Sequence, residues 1–212
     1  MSLAALLAET RAASINRMPP EAIATIQKVN DQLEAEGIGK EALQAGAMLP
    51  DATLTDQNGE QVAISALLAK GPVVLNFYRG GWCPYCNFEL KAYQELLPQF
   101  QARGVQLVGV TPEKPDNSLT TQEKNELSFP ILTDAQNGFA KALGIAFNMP
   151  EDLVALYSGF GLDLPNINEG TGWSLPIPAT FVADASGKIL LADVDGDYTR
   201  RLEPADALAA LG

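Results

Sequence analysis

Cys83 and Cys86 are the only two cysteines of this 212-residue chain, and just Pro84 and Tyr85 separate them. They stand in the stretch "VVLNFYRGGWCPYCNFELKAYQEL", Val73 to Leu96. The run "PVVLNFY" is β-rich and apolar on both faces, as expected of a central strand. Gly80-Gly81 then supplies a flexible turn, and a helix is predicted from Pro84 to about Arg103, stopped by Gly104. Proline is favoured at the first helical position, where its missing N–H would have had no partner anyway. With Pro84 there, Cys83 is the N-cap and Cys86 lies one turn in, on the same side. The free N–H groups and the positive end of the helix dipole then favour a thiolate at Cys83. Such a pair can cycle between dithiol and disulfide, Cys83 attacking and Cys86 resolving. Two inert core thiols are the bland alternative. Zinc is the weaker one: a closed site wants four nitrogen or sulfur ligands, and the chain has two sulfurs and no histidine.

The neighbours of the pair each have two readings. Arg79 either raises the local positive potential or is a solvated loop residue. Trp82 and Tyr85 either shield the sulfurs and offer a docking surface to a partner thiol, or simply pack. Glu89, one turn past Cys86, accepts a proton or faces solvent. The absence of histidine removes the usual general base. A net charge of −12, from 14 basic and 26 acidic residues, would repel a phosphate backbone and argues against nucleic-acid binding. "DVDGDYTRRLEP" (193–204) superficially fits a calcium loop. However, Tyr198 and Pro204 stand where glycine and glutamate are needed, so it reads as a turn after an edge strand.

The elements that must hold this site follow from the patterning. Residues 1–45 read as a helical extension interrupted by Pro19-Pro20, with a second helix from about Glu21 to Glu36. That helix carries an apolar stripe of Ile23, Ile26, Val29 and Leu33, predicted to serve as an arm in a twofold homodimer. No apolar run approaches the roughly 18 residues of a membrane span. The opening "MSLAALLAETRAAS" has no basic residue before its apolar run and reads as an amphipathic helix of a cytoplasmic protein. From 46 to 212, β-rich and helical runs alternate. They give a hairpin around Asn58-Gly59, the strand "VQLVGVT", a polar helix around 119–127, "FPILTD", and a short helix at 137–143. A second hairpin, "PATFVAD" to "KILLADV", precedes a last helix, "EPADALAALG". The fold class is α/β, a mixed central sheet with helices on both faces. Residues 147–174 read as an irregular insertion.

The stretch "VVLNFYRGGWCPYCNFELKAYQELLPQF" resembles the thioredoxin-fold superfamily, in its peroxiredoxin-like alkyl hydroperoxide reductase/thiol-specific antioxidant branch. The resemblance takes in "DATLTDQNGEQVAISALLAKGPVVLNFY", "VQLVGVTPE" and "IPATFVADASGKIL", covering roughly residues 46–212. It implies a thioredoxin-like fold and a thiol-dependent antioxidant oxidoreductase acting on hydroperoxides or protein disulfides. It also implies no bound organic cofactor, and recharging by an external thiol donor such as thioredoxin or glutathione. Peroxiredoxins carry Pro-x-x-x-Thr-x-x-Cys with a glutamate three residues on. That register puts the peroxidatic cysteine at Cys86 and the glutamate at Glu89, with Arg79 and Cys83 at the proline and threonine positions. Pro178 stands where the family has its second-site arginine. What is present instead resembles thioredoxin and glutaredoxin: Trp-Cys-Pro-Tyr-Cys, and a proline before a strand. This implies a cis Ile177–Pro178 bond beside the dithiol. The two patterns name different nucleophiles; the N-cap position selects Cys83, with a sulfenic acid on Cys86 resolved by Cys83 as the other route. A redox-sensing module that toggles without turnover is the alternative function.

Overall fold

A computed structural model describes residues 2–212. Pro19-Pro20 divides the extension into α1 (Leu3–Arg17) and α2 (Pro20–Ala35), because the residues before each proline are pushed into extended backbone. The N-terminus of α1 is capped by Ser2. It also points two N–H groups, of Leu3 and Ala4, at the Glu203 carboxylate near the far end of the chain. A negative group there complements the helix dipole and fixes α1 to the body.

The domain proper opens with the hairpin β1 (Thr53–Asp56) and β2 (Gln61–Ala63), then α3 (Ile64–Leu68). Next come β3 (Val73–Phe77), α4 (Pro84–Ala102), β4 (Gln106–Thr111), α5 (Pro115–Lys124), β5 (Ile131–Thr133) and α6 (Gly138–Ala142). After these stand β6 (Ala146–Asn148), α7 (Glu151–Gly159), α8 (Leu164–Ile167) and β7 (Ser174–Pro176). The chain closes with the hairpin β8 (Ala179–Ala183) and β9 (Ile189–Val194), and with α9 (Pro204–Ala209). The sheet runs β2-β1-β5-β4-β3-β8-β9; β3, β4 and β5 are parallel and the remaining pairs antiparallel.

Strand β3 lies near the middle of this sheet and is buried throughout. Val73, Leu75 and Phe77 point to one face, packing with Phe139, Leu143 and Phe181. Val74 and the following Tyr78 point to the other, where Leu90, Tyr93, Leu97 and Phe100 of α4 cover them. This alternation is the period-2 geometry of a strand. It decides which face receives the site, because Cys83 and Cys86 belong to the α4 side. Pro98 sits inside α4, which costs about 3 kcal/mol. Four large buried side chains, at roughly 1.5–3 kcal/mol each, outweigh that and hold the helix in place.

Within its own chain α2 packs on α7, and Val29 of its apolar stripe is buried with Leu153 and Tyr157, while Ile23, Ile26 and Leu33 are half-buried. Leu3 and Leu7 of α1 are likewise buried in the α4 cluster. Two expectations need correction. The segment 147–174 is not irregular, since it forms α7, α8 and the small β6–β7 sheet. Pro150 followed by Glu151 and Asp152, with Leu153 and Tyr157 four apart, was the helix signal there. The polar helix α5 begins at Pro115, earlier than its apolar residues indicate, because proline again takes the first helical turn.

Candidate active site

Strand β3 delivers the chain to the Gly80-Gly81 turn, and that turn is packed too tightly for any side chain. A Cβ on Gly80, whose φ is +150°, would collide with the Trp82 indole nitrogen. One on Gly81 would collide with the Thr121 hydroxyl. Cys83 is the N-cap of α4, in extended backbone, and exposed Pro84 is its first residue. Both cysteines are free thiols and at most 1 % exposed.

Two buried arginines flank the pair. Arg79 is 3 % exposed, not a solvated loop residue. Its guanidinium stacks over Tyr198 at 4.4 Å, Trp82 at 4.8 Å and Tyr157 at 5.7 Å. It also donates to the Tyr157 hydroxyl at 2.9 Å. Aromatic faces attract a desolvated cation without neutralising it, so its charge stays available to a thiolate. Arg201 comes from the loop between β9 and α9. Its Nε donates to Glu89 Oε2 at 2.6 Å, and its Nη2 lies 3.5 Å from the Cys86 sulfur. Glu89 therefore does not face solvent: at 1 % exposure it accepts from Arg201 and, through Oε1, from Asn76 at 2.8 Å. Asn76 lies 3.4 Å from the Thr180 hydroxyl, which in turn meets the Tyr93 hydroxyl. A polar chain thus crosses the core from β8 to the dithiol.

These neighbours set the ionisation of the two thiols in opposite directions. Burial pushes the Cys83 pKa up, but the Cys86 thiol hydrogen-bonded to it, then Arg79 and Arg201, outweigh burial and bring it down to about 6. Its sulfur makes no close capping hydrogen bond, and the Cys86 N–H contributes less than either arginine. The helix start is therefore the smaller reason for a thiolate here, and the arginines are the larger one. Cys86 is driven the other way by burial and by the negative charge and hydrogen bond of Cys83. For Glu89, burial raises the pKa to about 7 against the pull of Arg201. Replacing Arg79 with methionine should accordingly move the pH midpoint of Cys83 alkylation upward by roughly one unit. Iodoacetamide kinetics across pH 4–9 measure this, and an unmoved midpoint would show that Arg79 does not act on the sulfur.

Tyr85 is buried and meets Tyr198 edge-on at 5.7 Å; half-buried Trp82 meets Tyr157 in the same way at 5.9 Å. Pro178 is buried and lines a small cavity with Arg79 and Tyr198. The cis bond expected before it is absent: no peptide bond among the described residues is cis. The Ile177 N–H bonds to the Ile145 carbonyl, and the chain passes from β7 almost directly into β8 with no tight turn to make. Sequence reasoning missed Arg201, Asn76, Tyr157 and Tyr198. Asn76 could have been found, since an asparagine inside "VVLNFY" must be satisfied when buried. Arg201 sits in a loop read only as a turn.

A mixed sheet that delivers a Cys-x-x-Cys pair to a helix start defines a thioredoxin-fold thiol oxidoreductase. Residues 45–192 match the AhpC/TSA family, and the chain belongs to it. Among curated proteins it is 29 % identical over 151 residues to the thiol-disulfide oxidoreductase ResA of Geobacillus thermodenitrificans, covering 71 % of this chain and 69 % of that one. It is 27 % identical over 159 residues to the chloroplastic peroxiredoxin Q of Suaeda salsa, covering 75 % and 61 %. Among solved structures, the peroxidoxin BcpB of Mycobacterium tuberculosis superposes with a TM-score of 0.63 at 25 % identity, covering 80 % of this chain and 96 % of that one. No helix among the described residues is long and apolar enough to cross a membrane.

Proposed function

We propose that this protein is a thiol-dependent antioxidant oxidoreductase in which Cys83 attacks, Cys86 resolves, and an external thiol such as thioredoxin or glutathione restores the pair. What carries this reading is the Cys83–Cys86 dithiol at the start of α4, buried beside Arg79 and Arg201, where the Cys86 thiol and then the two arginines favour a thiolate at Cys83. The Cys83 thiolate attacks the outer oxygen of a hydroperoxide and the O–O bond breaks. The alkoxide leaves, takes a proton to become the alcohol, and Cys83 is left as a sulfenic acid. Cys86 then attacks the Cys83 sulfur, its proton and the departing hydroxide forming water, and a disulfide remains. Two donor thiols reduce that disulfide and are themselves oxidised. No organic cofactor enters this cycle, because the sulfurs carry both electrons.

Burial supports hydroperoxides ahead of protein disulfides as the oxidant. Both cysteines are at most 1 % exposed, so a small molecule needs less displacement than a folded partner. Free thiols and an external thiol donor suit a reducing compartment such as the cytoplasm. The test is steady-state turnover with hydrogen peroxide or an alkyl hydroperoxide in the presence of reduced thioredoxin or glutathione. Many cycles per molecule are expected; consumption of one equivalent of oxidant and no more would overturn catalysis and leave a redox sensor.

A further inference from the structure

Arg201 reaches Cys86 from a loop, so whatever fixes that loop fixes the cation. The loop, residues 195–203, also carries Tyr198, whose ring stacks on Arg79. Nη1 of Arg201 donates to the carbonyls of Tyr198 and Arg200, so the loop backbone holds the guanidinium in place. Among the described residues, the loop's hydrogen bonds to anything before residue 193 involve Glu89 and Cys86 at the site, and α1.

Helix α1 grips the loop at both ends. At one end the Arg11 guanidinium donates to Asp197 Oδ2 at 3.3 Å and to the Thr199 hydroxyl at 3.4 Å. Asp197 Oδ1 in turn accepts from the Thr199 N–H and hydroxyl, so Arg11 holds the turn that leads into Arg200 and Arg201. At the other end the Glu203 carboxylate takes the N–H groups of Leu3 and Ala4, at 3.2 and 2.9 Å. Much of the attachment is polar: Arg11 and Arg200 line two cavities, of about 360 and 280 Å³, between the extension and the loop. Ile38 adds an apolar contact, a methyl carbon lying 2.7 Å from where a Cβ on Gly196 would stand. The family match runs from residue 45 to 192, so both partners in this attachment lie outside it.

We propose that Arg11 and Glu203 are positioning residues of the active site: by fastening α1 to the loop 195–203, they set where the Arg201 guanidinium stands against the Cys86 sulfur. The proposal rests on the reading above, in which Arg201 helps Cys83 to ionise. Glu89 holds the Arg201 Nε and the loop carbonyls hold Nη1, which leaves Nη2 aimed at the sulfur at 3.5 Å. A shift of the loop moves both carbonyls and turns Nη2 away. Five residues separate Asp197 from Glu203, and Tyr198 and Arg201 are among them, so two anchors on α1 leave the guanidinium little freedom. An ion pair as exposed as Arg11–Asp197 adds little to overall stability. Its effect is local, on the group it places.

The test is the pH profile of Cys83 alkylation by iodoacetamide in the full-length protein. The charged or titratable groups facing Cys83 are Cys86, Arg79, Arg201, Tyr85 and Tyr198, and the substitutions leave all of them in the chain. Near pH 5, where the rate follows the thiolate fraction, Arg11→Met/Glu203→Gln should react roughly two- to fivefold more slowly than wild type, the range over which exposed ion pairs and helix-end charges shift an equilibrium. Above pH 8 the two rates should agree. Lys28→Met, which cuts the exposed ion pair of α2 with Asp152 and leaves α1 fastened, should keep the wild-type profile. A wild-type rate near pH 5 in the double variant would overturn the proposal. So would a rate raised at every pH, which would make α1 a cover over the sulfurs, or an equal loss in Lys28→Met. Should the double variant not fold, Arg11→Met alone, which breaks only a half-exposed pair, decides in the same way. Wild-type protein with the alkylation midpoint of an ordinary cysteine would bring down the underlying site reading, and this proposal with it.

Discussion

Replacing Cys83 by serine should abolish peroxide turnover, a loss of several orders of magnitude, whereas replacing Cys86 should leave one fast oxidation and stop the cycle there. Removing the group that attacks leaves only what binding and a polarising environment can do. Cys83→Ser protein exposed to one equivalent of peroxide should keep its mass apart from slow side reactions. Cys86→Ser protein should gain one oxygen at Cys83, or a mixed disulfide if donor thiol is present. The reverse pattern, fast oxidation of the Cys83→Ser variant at Cys86, would sink the assignment and restore the order implied by the peroxiredoxin register. The pH dependence adds an independent check. With its pKa lowered to about 6, Cys83 of the wild type should alkylate at a constant rate above that value and about tenfold more slowly for each unit below it. Because the Cys86 thiol is the strongest of the influences that lower it, Cys86→Ala should move the midpoint up. Cys86→Ser, whose hydroxyl can still donate, should move it less. That contrast separates the hydrogen bond from Arg79, which neither substitution alters.

What could be read from the residues alone was what is local. Cys83 at the N-cap and Pro84 at the first helical position follow from proline's fixed φ and missing N–H, and α4 begins there. The buried strand before them follows from β-branched and apolar residues on both faces. The Asn58-Gly59 and "ASG" hairpins follow from turn chemistry that operates over four residues. What could not be read was brought in from a distance. Arg201 is 115 residues from Cys86 in sequence and reaches it only because β9 runs along the sheet edge and returns over α4. The peroxiredoxin pattern has an arginine near the strand that here begins after Pro178, and this chain has Pro178 at that place. The chain supplies a cation to Cys86 all the same, from the loop beyond the next strand. Tyr157 was equally hidden, since a segment rich in glycine, proline and asparagine was read as irregular while its apolar spacing was helical. Composition governed that expectation, and periodicity should have.

Arg201 is also where the largest effect on stability is expected. Its side chain is 2 % exposed and Glu89's 1 %, so the pair is desolvated on both sides. Arg201→Met should cost about 3–5 kcal/mol, because it strands a buried carboxylate with only Asn76 to satisfy it. For a chain of this length that corresponds to a fall in Tm of roughly 10 °C. The damage to function has a different origin and can be separated from it. In Arg201→Met/Glu89→Gln both charges are gone, the Asn76 hydrogen bond can still be made to the glutamine carbonyl, and most of the lost stability should return. Replacement of a buried ion pair by neutral groups of similar volume is often close to neutral. The Cys83 thiolate does not recover with it, since the cation that acted on the sulfurs is still missing. Thermal unfolding should therefore place the double variant near wild type, while its alkylation midpoint stays above that of wild type, as in the single variant. If the double variant is as unstable as Arg201→Met, the loss comes from the hydrogen bonds of Arg201 to the Tyr198 and Arg200 carbonyls, not from a stranded charge. If its midpoint returns to about 6, Arg201 serves the fold and Arg79 alone serves the thiolate.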